Sequence, residues 1–326
     1  MLKILYAASN NQNAKIQLSR FLQAMHGSAH QIKVAAYKQS SPPGINIDWT
    51  LDALLNIYKP EFQSLENDTL GIYYDQVKQF SPDLIISDLE YFTSYIAGLS
   101  DITIWQCSSS LINFALQRKQ KYNLGLFKYH AFSLNRDPVN TQKTVNLLEN
   151  SNKNFVYSHF GDLSEPLEIQ DKFEWVRPYH SVGRENILCQ HGIVAGLAYN
   201  NKKIINDLKK HTDSVVFMEP CHETHQNILV KDIRIAEEYV CNLKNSRLFV
   251  CQGQTSFLAD AFYNEKHPLI YPDYNDTESI TNSIISEHFG LGTIITHPSM
   301  LDTEKVARPM EYKPSVQYLH EKIEEL

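Results

Sequence analysis

Asp88 and Glu90 follow the apolar run Leu84-Ile85-Ile86-Ser87, which reads as a strand. A carboxylate at a strand's carboxyl end faces the sheet edge where clefts form, and there it could take a proton from a hydroxyl. The same residues suit the N-cap of a helix that begins near Tyr91. A second polar turn, Gln252-Gly253-Gln254-Thr255-Ser256, follows the run Leu248-Phe249-Val250-Cys251 and opens a helix near Phe257. A helix N-terminus presents unpaired N–H groups and partial positive charge, so it suits an anionic phosphate. The next strand, Leu269-Ile270-Tyr271, exits through Pro272 to Asp276 into a helix bearing Glu278, Ser279 and Asn282. Glu278 and Asn282 are four apart, which sets them on one helical face.

These turns need sheets to hold them. Leu2 to Tyr6 reads as a first strand, Asn10 to Asn13 as a polar turn that could cap a helix, Ala14 to Met25 as an amphipathic helix and His30 to Tyr37 as a second strand. That is a β-α-β opening of a doubly wound sheet. Asp101 to Cys107 is another strand, ending in Ser108-Ser109-Ser110, a cluster that could bind hydroxyls and more commonly makes a turn. A domain boundary is expected near residue 180, with a second sheet starting at Asn186 to Gln190. His191 to Gly196 then reads as a glycine-containing turn and Leu197 to His211 as a helix. Strands are also expected at Ser214 to Glu219, Asn227 to Val230 and Thr293 to Ile295, and a last helix at Val316 to Leu326.

The 326 residues suffice for two domains with substantial cores. A net charge of −7 disfavours a nonspecific nucleic-acid binder, which needs a basic footprint. The patch Gln117 to Tyr122 is the most basic stretch of the first half; it could meet an anionic acceptor, though a solvated helix face explains it as well. Five scattered cysteines with no CxxC pair read as reduced core thiols. His222, Glu223 and His225 do not make a helical HExxH set, so no metal is expected. The opening MLKILYAAS reads as a strand rather than a secretory leader, and no run of 18 apolar residues is present. A cytoplasmic protein, able to sit peripherally on a membrane, is the expectation.

The stretch Leu248 to Gly292 resembles the donor-nucleotide half of GT-B glycosyltransferases, in the branch around the MurG-type and UDP-glucuronosyltransferase-type enzymes. Their pattern is a strand, a His-Gly-Gly-x-Gly/Thr turn, a helix with an acidic residue, Gly-x-Pro, a strand ending in Pro, then Asp/Gln-Gln-x-x-Asn. Here the turn is Gln252 to Ser256, the helix acid Asp260, the third element Glu265-Lys266-His267-Pro268 and the last Glu278 to Asn282. Gln252 stands where the family has His, and Gln254 at its second Gly. Pro82 to Asp88 also resembles the family's Pro-Asp-x-hydrophobic-hydrophobic-x-Asp.

The resemblance implies an α/β fold of two Rossmann-like domains facing a cleft, with residues 1–180 binding the acceptor and 181–326 the donor. The last helix would cross back to the first domain. The implied activity is hexosyl or pentosyl transfer from a nucleoside diphosphate, uridine-based, to a hydroxyl on a glycan, lipid head group or modified nucleic acid. Ile233 and Arg234 would flank the base, and Gln252, Gly253, Gln254, Thr255 and Ser256 the diphosphate, with Gly192 and Gly196 allowing close backbone approach. Asp276, Glu278, Ser279 and Asn282 would hold the ribose or donor sugar. Asn13 stands near the place of the family's first-loop His; it cannot abstract a proton, so it would orient ligands and the base would be Asp88 or Glu90. No metal and no cofactor beyond the nucleotide sugar, a co-substrate, are implied. A DNA-base-modifying glycosyltransferase, a sugar-nucleotide 2-epimerase and a non-catalytic nucleotide-sugar binder remain as alternatives.

Overall fold

The segments KILYAA, LIIS, IWQCS and SVVFM are buried on both faces almost throughout, as parallel strands covered by helices must be. The computed structural model describes residues 1–10, 12–37, 45–51, 68–116, 138–163, 167–181, 191–197, 201–211, 213–218, 229–232, 236–295 and 316–326. The first sheet contains β1 (Lys3–Ala8), β2 (Gln31–Tyr37), β3 (Trp49–Leu51), β4 (Leu84–Ser87), β5 (Ile104–Ser108), β6 (Lys153–Tyr157) and β7 (Phe173–Val176), in the order β3-β2-β1-β4-β5-β6-β7. The second contains β8 (Ile193–Gly196), β9 (Ser214–Met218), β10 (Leu229–Asp232), β11 (Leu248–Cys251), β12 (Leu269–Ile270) and β13 (Thr293–Ile294), in the order β10-β9-β8-β11-β12-β13. All these pairings are parallel. The chain thus builds two Rossmann-like domains. Each sheet reverses its strand order once, between β1 and β4 and between β8 and β11, and such switch points open crevices at the strands' carboxyl ends.

The helices that matter for those crevices are α1 (Gln12–Ala24), α2 (Asp68–Phe80), α3 (Tyr91–Ser100), α4 (Ile112–Ala115), α5 (Pro138–Glu149), α6 (Lys202–Leu208), α7 (Ala236–Asn245), α8 (Thr255–Tyr263), α9 (Thr277–His288) and α10 (Leu319–Glu324). One buried cluster runs from Leu111, Val156 and Phe160 to Phe217, Phe249 and Phe257, so the two domains share apolar packing. Leu319 and Ile323 of α10 lie in the cluster built on Ile4, Tyr6 and Phe21, which seats the C-terminal helix against the first sheet.

Two local expectations are corrected. Ile193 to Gly196, read as a turn, is strand β8, and the helix expected from Leu197 is described only from Lys202. The two glycines mimicked turn punctuation, whereas Ile193-Val194-Ala195-Gly196 is buried on both faces of the sheet. The strand expected at 186–190 and the basic patch at 117–122 lie outside the described residues. Cys107 and Cys251 are free and buried, but Cys241 is disulfide-bonded, against the expectation of five reduced thiols. Linear spacing carries no information about which cysteines meet in space. No helix among the described residues is long and apolar enough to cross a membrane.

Candidate active site

Ser9 and Asn13 follow β1 and Asp88 follows β4, at the switch point of the first sheet. Gln252 to Thr255 follow β11, at that of the second. The two crevices close on one carboxylate, Glu278, which is 4% exposed. Its Oε1 accepts from Asn13 Nδ2 at 2.9 Å and from the Thr255 backbone N–H at 3.0 Å. Its Oε2 accepts from the hydroxyls of Ser109 at 2.7 Å and Ser110 at 3.1 Å. Asn13 Nδ2 also donates to Ser109 Oγ. The donors from Asn13, Ser109 and Ser110 all belong to the first domain.

Local geometry fixes the α8 and α9 turns. Gly253 has φ +84°, and a Cβ there would stand 2.5 Å from Ser283 Oγ and 2.8 Å from the Ser279 carbonyl, so only glycine fits. Ser279 Oγ donates to the Gln252 carbonyl and accepts from the Asp273 N–H at 2.8 Å. Asn282 Nδ2 donates to the Gly253 carbonyl at 3.1 Å and to Thr255 Oγ1 at 3.0 Å. Ser279 and Asn282 therefore staple the two turns together. Asp276 caps α9, accepting from the Glu278 N–H at 3.0 Å, and Gln254 Nε2 reaches its other oxygen at 3.5 Å. Gln254 occupies the N-cap position of α8 without a side-chain cap bond, which leaves the α8 N-terminus to Glu278. Gln252 and Ser256 are fully buried beneath it.

The carboxylates of this region differ sharply. Burial pushes Asp88 up to about 7; hydrogen bonds from Ser108 and Ser9 pull it down, and the Glu278 charge raises it further. Ser9 Oγ donates to Asp88 Oδ2 at 3.2 Å. Burial, then the Glu278 charge, also pushes Asp276 up to about 7. A base poised near neutrality suits proton abstraction at physiological pH. Glu90 is different: Leu89 adopts φ +54°, turning the chain so that Glu90 caps α3. Its Oε1 accepts from the Phe92 N–H at 3.0 Å and from the Tyr37 hydroxyl at 2.9 Å, and its Oε2 from the Thr93 N–H at 2.7 Å. Of the two carboxylates, Glu90 is thus engaged in the cap and Asp88 in the crevice.

A second joint lies two turns along α1. Arg20 donates to the Tyr179 carbonyl at 2.6 Å, Ser181 Oγ at 2.7 Å, Asp260 Oδ2 at 2.7 Å and the Ser256 carbonyl at 3.4 Å. The Ser181 N–H donates to Asp260 Oδ1 at 2.7 Å. Sequence reading noticed Asp260 but missed Arg20. The one signal was its place on the helical stripe Asn13, Gln17, Arg20, which faces α8. It also left Ser108 to Ser110 as a turn, whereas two of those hydroxyls hold Glu278.

Gly192 and Gly196 stand at opposite ends of β8, and Gly196 pairs with Cys251, the residue just before the α8 turn. Gly192 enters β8 at the opposite edge of the sheet, where its carbonyl accepts from the Arg247 and Leu248 N–H groups. Gly196 ends β8, where a Cβ would meet the Phe257 ring at 2.9 Å, so it serves the packing of α8 on the sheet. Ile233 and Arg234 lie outside the described residues, as do His222 and His225. Among the described residues, no His, Cys, Asp and Glu side chains gather as a metal-ligand set.

No protein-family model matches the chain, and no curated protein matches it by sequence. Solved structures do match. SsfS6, a glycosyltransferase of Streptomyces sp. SF2575, superposes with a TM-score of 0.59 at 11% identity, covering 93% of this chain and 92% of that one. The spinosyn forosaminyltransferase SpnP gives 0.58 at 14% identity, over 95% and 89%. The glycosyltransferase VinC in complex with DTDP gives 0.56 at 13% identity, over 99% and 98%. The fold is that of GT-B glycosyltransferases. SsfS6 has also been solved with thymidine diphosphate.

Proposed function

We propose that the protein transfers a sugar from a uridine- or thymidine-diphosphate donor to a hydroxyl acceptor, with residues 1–180 serving the acceptor and 181–326 the donor. The observation that carries this reading is the pairing of the two switch points through Glu278, with the α8 N-terminus on one side and Asp88 on the other. Full-length likeness to glycosyltransferases, two of them solved with a thymidine diphosphate, supports it. In the donor complex the diphosphate takes the Thr255 N–H and the α8 dipole, and the Glu278 carboxylate turns to the sugar. Helix amides then stabilise the departing diphosphate, and no metal is required. Asp88 takes the acceptor's proton, with Ser9 and Ser108 supporting its ionised form. Asn13 orients Glu278 rather than acting as a base.

Asp88→Asn keeps the shape and removes the base, so turnover should fall by about 10²–10⁴-fold while donor affinity changes little. Nucleoside-diphosphate release with a panel of donors and hydroxyl acceptors measures this. A drop of less than about threefold in kcat removes Asp88 from the chemistry, since a general base contributes far more than that. A second reading, a nucleotide-sugar binder without turnover, is favoured by Asn13 and Gln252 at places where the resembled family has His. Donor binding with no product release in the native chain would establish it.

A further inference from the structure

A cavity of about 350 Å³ opens at the amino ends of β1, β2 and β3, the end of the first sheet away from the cleft. Strand alternation builds it. Lys3, Gln31, Lys33 and Trp49 share the sheet face that carries Leu5, Ala35 and Leu51 into the packing under α2. Lys3, Gln31 and Trp49 are the first residues of their strands, so polar groups take over from apolar ones where the face runs out. Phe80 ends α2 above them, with Gln76 and Gln79 beside it on the helix. Ser9, Asn13 and Asp88 follow the opposite, carboxyl ends of the same sheet. The six residues of β1 alone separate the two ends by roughly 20 Å.

Two ammonium groups gather at one ring in this cavity. Lys3 Nζ lies 5.9 Å and Lys33 Nζ 5.0 Å from the centre of the Phe80 ring, and Lys33 Nζ is 4.8 Å from that of Trp49. The two rings meet edge-on with their centres 5.8 Å apart. Lys3 Nζ gives one hydrogen bond, to the Phe80 carbonyl at 3.2 Å. Among the described residues neither lysine forms an ion pair. The carboxylates of the adjoining turns, Asp48 and Asp83, accept backbone N–H groups instead, from Val34 at 2.9 Å and Lys3 at 2.7 Å. In a chain of net charge −7, the lining therefore concentrates two cations and the amides of Gln31, Gln76 and Gln79.

We propose that this cavity is a second binding site, for a small phosphate monoester. Such a group carries a charge of about −1.5 to −2 near neutral pH, which two ammonium groups match and a carboxylate does not. Its oxygens accept from Lys3, Lys33 and the glutamine amides, and its organic part lies against the edges of Trp49 and Phe80. The cavity is concave and at the small end of ligand pockets, which fits a free molecule rather than a membrane surface. A ligand here leaves the cleft open, so it acts alongside donor and acceptor rather than in competition with them. The assignment stands independently of the transferase reading.

Calorimetric titration of the full chain with phenyl phosphate near neutral pH tests this, with excess uridine diphosphate present to occupy the cleft. Binding should be seen with a Kd below about 1 mM. Lys33→Gln and Lys3→Gln, each checked for folding by circular dichroism, should each weaken it by about tenfold, the scale of one charged contact. Absence of binding to the native chain overturns the assignment. Binding that both variants retain overturns it too, because the anion would then lie elsewhere. Benzoate bound as tightly as phenyl phosphate overturns the phosphate class, since one negative charge would then suffice. Binding to equimolar phosphatidylcholine–phosphatidate vesicles, with none to phenyl phosphate, overturns the small-molecule assignment in favour of a membrane surface.

Discussion

Helix α1 touches the second domain at two places, and they are built from different chemistry. At Arg20 the contact is a buried ion pair with Asp260, completed by two backbone carbonyls and the Ser181 hydroxyl. At Asn13, two turns earlier, the contact is a carboxylate held by an amide, two hydroxyls and one backbone N–H. A buried guanidinium without its carboxylate would be an uncompensated charge, so the Arg20 joint persists whatever the cleft contains. The Asn13 joint is made of neutral donors whose partner can be exchanged for another anion at little electrostatic cost. The difference points to a fixed pivot beside Tyr179 and Ser181 and an exchangeable latch at Glu278.

The largest effect should come from breaking the pivot. Arg20→Ala leaves Asp260 buried and unpaired, and should cost about 3–5 kcal/mol in urea unfolding. Asp260 is already raised by burial, with Arg20 the main influence holding it down, so losing the guanidinium raises it further. The paired change Arg20→Met with Asp260→Leu should recover most of the loss, since well-packed apolar replacements of buried pairs are often neutral. Should Arg20→Ala cost less than about 1 kcal/mol, the pivot and the latch are energetically alike and the contrast is lost.

Much of this was readable from sequence because strands and the turns after them have local signatures. The apolar runs before Asp88 and before Gln252 are strands β4 and β11, and the positive φ of Gly253 explains the glycine in that turn. What stayed hidden was long-range. Arg20 and Asp260 are 240 residues apart, and Ser109 and Glu278 are 169 apart, so no spacing rule links them. The different placements of Asp88 and Glu90 follow from the left-handed Leu89, a conformation rare for leucine that no propensity would assign. Spacing also could not separate Gly192, at the entry of β8, from Gly196, which pairs with Cys251 and packs under Phe257.

A pH series reports on the buried carboxylates of both joints, since Asp260 at the pivot is raised as well, and a variant in the cleft isolates the latch side. Asp88 and Asp276 are both raised to about 7 in the folded chain, above their ordinary value near 3.8. Between those limits the folded state holds protons that the unfolded chain has released, so stability should fall as pH rises from about 4 to about 7 and level off above. Each group contributes a slope of up to about 1.4 kcal/mol per pH unit. Urea midpoints across that window should show the decline, and Asp88→Asn should reduce its slope. A flat profile would mean that the cleft carboxylates are solvated, and the latch would then be no more buried than the surface.

The smallest expected effect distinguishes an exchangeable latch from a rigid one. Ser110 is half-buried and gives Glu278 its longest hydrogen bond, at 3.1 Å. Ser110→Ala leaves the carboxylate with three donors, so unfolding free energy should drop by about 0.5–1.5 kcal/mol. The same change weakens the competitor that occupies the Thr255 N–H, so free nucleoside diphosphate should bind the variant as well as or better than the native chain. Binding several-fold weaker would show that the Ser110 hydroxyl serves the ligand directly, and that the four donors form a preformed site rather than a latch waiting to be displaced.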